Sequence, residues 1–113
     1  MIKFHKLVRD HIPEIIEKSG YKAHITVLND DEYKSALEEK LKEEVCEYIA
    51  DNSIEELADI LEVLDAIVQF NNYSWQEVMD AKTAKKEQRG GFDKRIFLID
   101  RTEAENSGDF KAE

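Results

Sequence analysis

Carboxylates are concentrated in one stretch of this chain, and that concentration limits the folds open to it more than any other feature. Residues 30–65 carry 14 Asp and Glu against three lysines, a local charge of −11, while the rest of the 113 residues carries 12 carboxylates against 13 Lys and Arg, or +1. The net charge of −10 therefore belongs to one segment. A field of that sign repels nucleic-acid backbones and argues against simple DNA or RNA binding. Two readings of the segment remain: a solvated helical surface, or a site for a hard divalent cation with oxygen ligands.

Apolar periodicity puts these carboxylates on helices. Pro13 suits the first turn of a short helix that runs to about Ser19 and stops at Gly20. From Asn29 or Asp30, the residues Tyr33, Leu37, Leu41, Tyr48 and Ile49 recur at helical spacing until Asp51 and Asn52 interrupt them. Ser53 with Glu56 forms a capping-box pattern ahead of Leu57, Ile60, Leu61, Leu64 and Val68, which predicts a second long helix ending at Asn71 and Asn72. Ser74 with Glu77 repeats that signature and opens a third through Arg89, with Gly90 and Gly91 as breakers. Residues 23–28 and 96–99 read as short strands able to pair. The expected fold is all-α: an antiparallel helical bundle with short connections and a small accessory β element. One domain is expected over residues 1–101, followed by a flexible C-terminal tail at 102–113. Three long helices make a thin core, which predicts a homo-oligomer, either dimer or tetramer.

The carboxylates do not all face outward. At about 100° per residue, Glu44 lies about 60° from Leu41 and about 40° from Tyr48, inside the apolar stripe, with Glu47 at its edge. On the next helix Glu56 and Asp59 share a side with Val63, Ile67 and Phe70, while Glu55, Glu62, Asp65 and Gln69 form the solvated face. Burying one unpaired carboxylate costs several kcal/mol, comparable with the whole stability of a small domain, so convergent inward carboxylates need compensation. Lysines are scarce in the segment. A lone Cys46 and the scattered His5, His11 and His24 offer no zinc-type ligand set, so Mg²⁺ or Mn²⁺ is the expected counter-charge. The competing reading is local: Glu56 serves as the third residue of a capping box, and Glu43, Glu44 and Glu47 are surface charges.

The run Glu43-Glu44-x-x-Glu47 followed by Glu56-x-x-Asp59 resembles the signature of the MazG-like all-α NTP pyrophosphatase superfamily, which includes phosphoribosyl-ATP pyrophosphohydrolases. Lys6-Leu7-Val8-Arg9-Asp10 with Ile12-Pro13, and Arg89-Gly90-Gly91-Phe92, resemble a branch of small single-domain members regarded as house-cleaning NTP pyrophosphatases. The likeness spans about residues 3–100. It implies that Glu44, Glu47, Glu56 and Asp59 are Mg²⁺ ligands, with Glu43 a neighbouring or water-positioning group. It also implies hydrolysis of a nucleoside triphosphate between its α and β phosphates, with Glu43 or Glu47 assisting deprotonation of the attacking water. Members of the superfamily share the metal site and differ in substrate.

Such chemistry needs cations beyond the metal shell. Lys82, Lys85, Lys86 and Arg89 fall within an arc of about 100° on the third long helix, either to hold the β and γ phosphates or as solvated charges that meet the helix dipole. Arg9, Lys6 and Arg95 are further candidates, and Asp10 either orients Arg9 or caps the helix near Pro13. Trp75, Tyr48, Tyr73 and Phe92 are expected chiefly in the core, with base stacking as the alternative, and Cys46 as a small packing residue. No apolar run approaches the ~20 residues of a bilayer span, and residues 1–10 carry charges where a signal peptide is apolar, so a cytoplasmic protein without membrane or nucleic-acid partners is expected. The functional expectation is a Mg²⁺-dependent nucleotide pyrophosphohydrolase. Its alternatives are the phosphoribosyl-ATP pyrophosphohydrolase of histidine biosynthesis and a non-catalytic acidic helical interaction module.

Overall fold

Local capping chemistry sets where the long helices begin. A computed structural model describes residues 4–104 and contains four helices, α1 (Ile12–Lys18), α2 (Asp30–Asp51), α3 (Ile54–Phe70) and α4 (Trp75–Arg89). Asn29 caps α2 with a full reciprocal box: its side chain accepts from the Glu32 N–H at 2.9 Å, and the Glu32 carboxylate accepts from the Asn29 N–H at 3.1 Å. Ser74 and Glu77 make the same box at α4. Ser53 caps α3 on one side only, accepting from the Glu56 N–H at 3.3 Å without a return bond from the Glu56 carboxylate. Pro13 lies in the first turn of α1, and Gly20, at φ +93°, ends that helix as expected.

The fold is all-α across the described residues. Residues 23–28 and 96–99 carry no regular structure, which corrects the expected accessory β element. Ile25, Val27, Ile96, Phe97 and Ile99 are all largely exposed, and two isolated strands with no covered face gain too little to hold together. Of the expected tail at 102–113, residues from 105 onward lie outside the described ones. No helix among the described residues is long and apolar enough to cross a membrane.

Asn52 and Ser53 connect α2 to α3 and turn the chain back on itself. Asn52 adopts the left-handed conformation, φ 55° and ψ 27°, and its N–H closes α2 on the Tyr48 carbonyl at 2.6 Å. The two helices run antiparallel, so the start of α2 meets the end of α3, where the Tyr33 and Phe70 rings pack edge to face at 5.5 Å. Leu37, Val63 and Val68 are the buried apolar side chains of this pair, and Glu44 is buried with them.

Helix α4 stands away from that pair. It is held to α3 near its start, where the Trp75 indole N–H donates to the Asp65 carboxylate and the Tyr73 N–H to the Val68 carbonyl. The radius of gyration is 20.1 Å, against about 13 Å for a compact domain of roughly 100 residues. Trp75, Tyr73 and Phe92 are consequently exposed, as is Cys46, and only Tyr48 is half-buried, which corrects the expectation that these residues fill a core.

A left-handed residue other than Gly or Asn costs about 1–2 kcal/mol. Asn52→Ala is expected to lower unfolding stability by about 1 kcal/mol in denaturant titration, while Asn52→Gly is not.

Candidate metal centre

The two-residue turn places the second half of α2 against the first turns of α3, so acidic residues 12 and 15 positions apart in the chain meet. Glu44, Glu56 and Asp59 each offer a carboxylate oxygen, and these oxygens lie within 4.8 Å of one another. Glu44 is only 5% exposed, and Glu56 and Asp59 are half-buried. Glu44 Oε2 and Glu56 Oε2 are buried without a hydrogen-bond partner. A buried polar atom left unsatisfied costs about 1–3 kcal/mol, more when charged, so the chain maintains this arrangement against its own stability. The Glu56 carboxylate lies here instead of completing the Ser53 box, which overturns the purely local account of that residue.

Cations that the spacing of acidic residues does not reveal sit around the cluster. Lys40, one turn before Glu44 on α2, lies 3.2 Å from Glu44 Oε1 and 3.3 Å from Glu43 Oε2. The segment before α1 brings Arg9 Nη2 to 2.7 Å from Asp59 Oδ1 and Lys6 Nζ to 3.3 Å from Glu43 Oε1. Compensation is thus partly internal, a correction to the view that the scarcity of nearby lysines leaves the work to an ion. It is incomplete: Glu43, Glu44, Glu47, Glu56 and Asp59 face Lys6, Arg9 and Lys40. An all-oxygen donor set with unpaired buried lone pairs is what a hard divalent cation takes.

Of the four carboxylates expected to be ligands, three are grouped and one is peripheral. Glu47 is exposed and outside the three-residue group, though its charge reaches Glu44. Burial pushes the Glu44 carboxyl up; Lys40 pulls it back through a hydrogen bond and its charge, and Glu47 adds to the rise, so Glu44 sits above the usual carboxylate range. Burial also pushes Glu43 up, but hydrogen bonds from Lys6 and Lys40 and the charges of both outweigh it and hold Glu43 below that range. For Lys40, burial lowers the ammonium, and its bonds to Glu44 and Glu43 with their charges raise it beyond the loss.

A cleft of about 290 Å³ opens between the residues preceding α1 and the flank of α2, with Lys6, Ser35, Lys40 and Glu43 among its walls. The basic stripe of α4 is not part of this neighbourhood. Lys82, Lys85 and Lys86 are exposed and form no ion pair among the described residues, and Arg89 is exposed at the end of the same helix. Asp10 makes no hydrogen bond to Arg9 among the described residues; Asp59 is the carboxylate that orients it.

Comparison with known proteins adds little to this geometry. A protein of Mycolicibacterium smegmatis (strain ATCC 700084 / mc(2)155), itself described as uncharacterized, is 57% identical over 42 residues. The match covers 37% of this chain and 43% of that protein, so the chain spans less than half the length of the relative it matches. No family model matches the sequence, and no solved structure matches it.

The two neighbouring glutamates should respond oppositely to neutralisation. Glu43, lowered in the folded state, contributes stability above its unfolded pKa that is lost as pH falls through the folded value, so Glu43→Gln lowers the melting temperature at pH 7 and the deficit closes in acid. Glu44, raised in the folded state, contributes stability only below its unfolded pKa and loses it as pH rises through the folded value, so Glu44→Gln in metal-free protein raises the melting temperature at pH 7. Thermal melts between pH 3 and pH 7 (about the range over which carboxylates titrate) check both signs.

Proposed function

We propose that this chain is a divalent-cation-dependent nucleotide pyrophosphohydrolase that works as a homo-oligomer, cleaving nucleoside triphosphates between the α and β phosphates and acting on non-canonical nucleotides. One observation carries the reading: Glu56 forgoes its capping bond and, with the 5%-exposed Glu44, keeps a buried oxygen unpartnered beside Asp59. A solvated acidic helix has no reason to do this. The oxygen-only donor set fits Mg²⁺ or Mn²⁺, and Glu44, Glu56 and Asp59 are the residues to hold it, with Glu47 at the margin. Such an ion, when bound, supplies positive charge to polyphosphate oxygens and acidifies water.

The remaining work falls to the chain's own side chains. Both Glu43 carboxylate oxygens are taken by Lys6 and Lys40, so Glu47, exposed beside the cluster, is the base for the attacking water. Water oxygen bonds to the α phosphorus as that phosphorus loses its bond to the bridging oxygen, which leaves on the β phosphate as pyrophosphate; the water proton passes to Glu47, and the nucleoside monophosphate remains. Lys6 and Arg9 stand beside the cluster as phosphate ligands. Lys82, Lys85, Lys86 and Arg89 stand apart from it in their own chain, so they meet substrate by reaching the site of a neighbouring copy.

That neighbour is supported by the apolar surface left bare. At about 100° per residue, Val45 and Ile49 of α2 and Leu57 and Leu61 of α3 fall on one side of the α2–α3 layer, and Glu43 and Glu47 on the other. All four apolar residues are exposed, Ile49 by 68% and Leu61 by 58%. Among the described residues only Leu37, Val63 and Val68 are fully buried apolar side chains, so covering this bare side would add markedly to the apolar area removed from water. A second copy packed face to face would complete a four-helix bundle from two α2–α3 pairs.

Light scattering is expected to give at least a dimer for the full chain, and Leu61→Asp to dissociate it with loss of helicity. A monomeric wild type with a sharp melting transition would defeat the bundle. Pyrophosphate release from a panel of canonical and modified triphosphates is expected only with Mg²⁺ or Mn²⁺. Glu44→Gln and Asp59→Asn abolish it, and Glu47→Gln slows it by about 10²–10⁴-fold. Turnover confined to phosphoribosyl-ATP would indicate the histidine-biosynthetic activity instead, and tight cation binding with no turnover on any nucleotide would indicate a non-catalytic module.

A further inference from the structure

We propose that Arg9 and Lys40 are resident counter-ions of the acidic cluster, which yield their carboxylates to a divalent cation and then hold a phosphate group beside it. The inference rests on the metal-centre reading above and assigns a role to Lys40, which the motif reading leaves without one.

Each of these cations occupies one oxygen of a grouped carboxylate: Arg9 Nη2 lies on Asp59 Oδ1 at 2.7 Å and Lys40 Nζ on Glu44 Oε1 at 3.2 Å. Of the oxygens left over, Glu44 Oε2 and Glu56 Oε2 are buried without a partner. Two single charges therefore cover part of a site that one divalent ion would cover better. Once a doubly charged ion shares those carboxylates, like charges crowd together and the side chains are driven outward. Neither is prevented from moving. Arg9 belongs to the non-helical segment before α1 and its side chain is 56% exposed, and Lys40 already bridges from Glu44 to Glu43 at the wall of the 290 Å³ cleft. Lys6 lines the same cleft. Once displaced, an ammonium and a guanidinium fork beside the bound ion suit the oxygens of a di- or triphosphate.

The consequence is a pair of effects of opposite sign. Residues that compete with the cation in the absence of anion must weaken cation binding, and the same residues must strengthen anion binding once the cation is present. A merely structural role gives no such inversion.

Calorimetry on the full chain tests it, first with Mn²⁺ alone and then with methylenediphosphonate in saturating Mg²⁺. Arg9→Gln and Lys40→Met are expected to bind Mn²⁺ about 3- to 10-fold more tightly than wild type and the diphosphonate at least about 10-fold more weakly. Arg9→Lys, which keeps the charge, is expected to retain wild-type affinity for Mn²⁺. Unchanged or weaker Mn²⁺ binding in Arg9→Gln, with wild type binding normally, overturns this proposal and leaves the metal centre standing. A wild type that takes up no Mn²⁺ overturns the metal centre and the proposal with it. If circular dichroism finds Lys40→Met unfolded, Arg9→Gln at its exposed position carries the decision.

Discussion

A carboxylate buried between two helices governs this molecule. Among the described residues Glu44 shares full burial only with Leu37, Val63 and Val68, in a position that hydrophobic packing alone would give to a leucine. Nearly everything distinctive about the structure answers that one placement. Lys40 comes up one turn earlier on the same helix to meet it, Glu56 and Asp59 close on it from α3, and the segment before α1 folds across to bring Arg9 onto Asp59. The cluster is nonetheless left with two unsatisfied oxygens, and chains do not keep such atoms buried without a use for them.

The two sides of the α2–α3 layer are accordingly unlike. One is charged and covered by a short N-terminal strap; the other is apolar and bare. A layer of two helices cannot protect both sides by itself, and α4, anchored at Trp75 and otherwise standing clear, does not close the open one. The buried charge and the uncovered hydrophobic side thus lie on opposite sides of the same two helices.

Helix positions were legible from the residues because they depend on local chemistry. Gly20, Asn52, Ser53 and Ser74 mark the ends of helices by hydrogen bonds within four or five residues, Pro13 does so by its fixed φ, and periodicity places Glu44, Glu56 and Asp59 on the inner faces. Strands at 23–28 and 96–99 were misread because β-branched and aromatic composition signals strand only where a neighbouring strand and a covered face exist, and neither is present. The aromatic residues at the start of α4 and beyond it were misplaced for a similar reason, since a wheel diagram identifies an apolar side without saying whether anything lies against it. Of the cations at the cluster, Lys40 could have been found from its three- and four-residue spacing to Glu43 and Glu44. Arg9 stands among the candidate phosphate-binding cations, but its pairing with Asp59 is not legible, because fifty residues separate the two and no local rule links them.

The connection through Asn52 and Ser53 has a consequence for how such a protein can change over time. Because only two residues separate the helices, inserting one more would rotate α3 by about 100° relative to α2 and carry Glu56 and Asp59 out of register with Glu44. Length variation is therefore shut out of this joint, although it is open to the irregular stretches at 21–29 and 96–104. Changes of length in the outer segments leave the cluster intact, while the interval from Glu44 to Asp59 tolerates none.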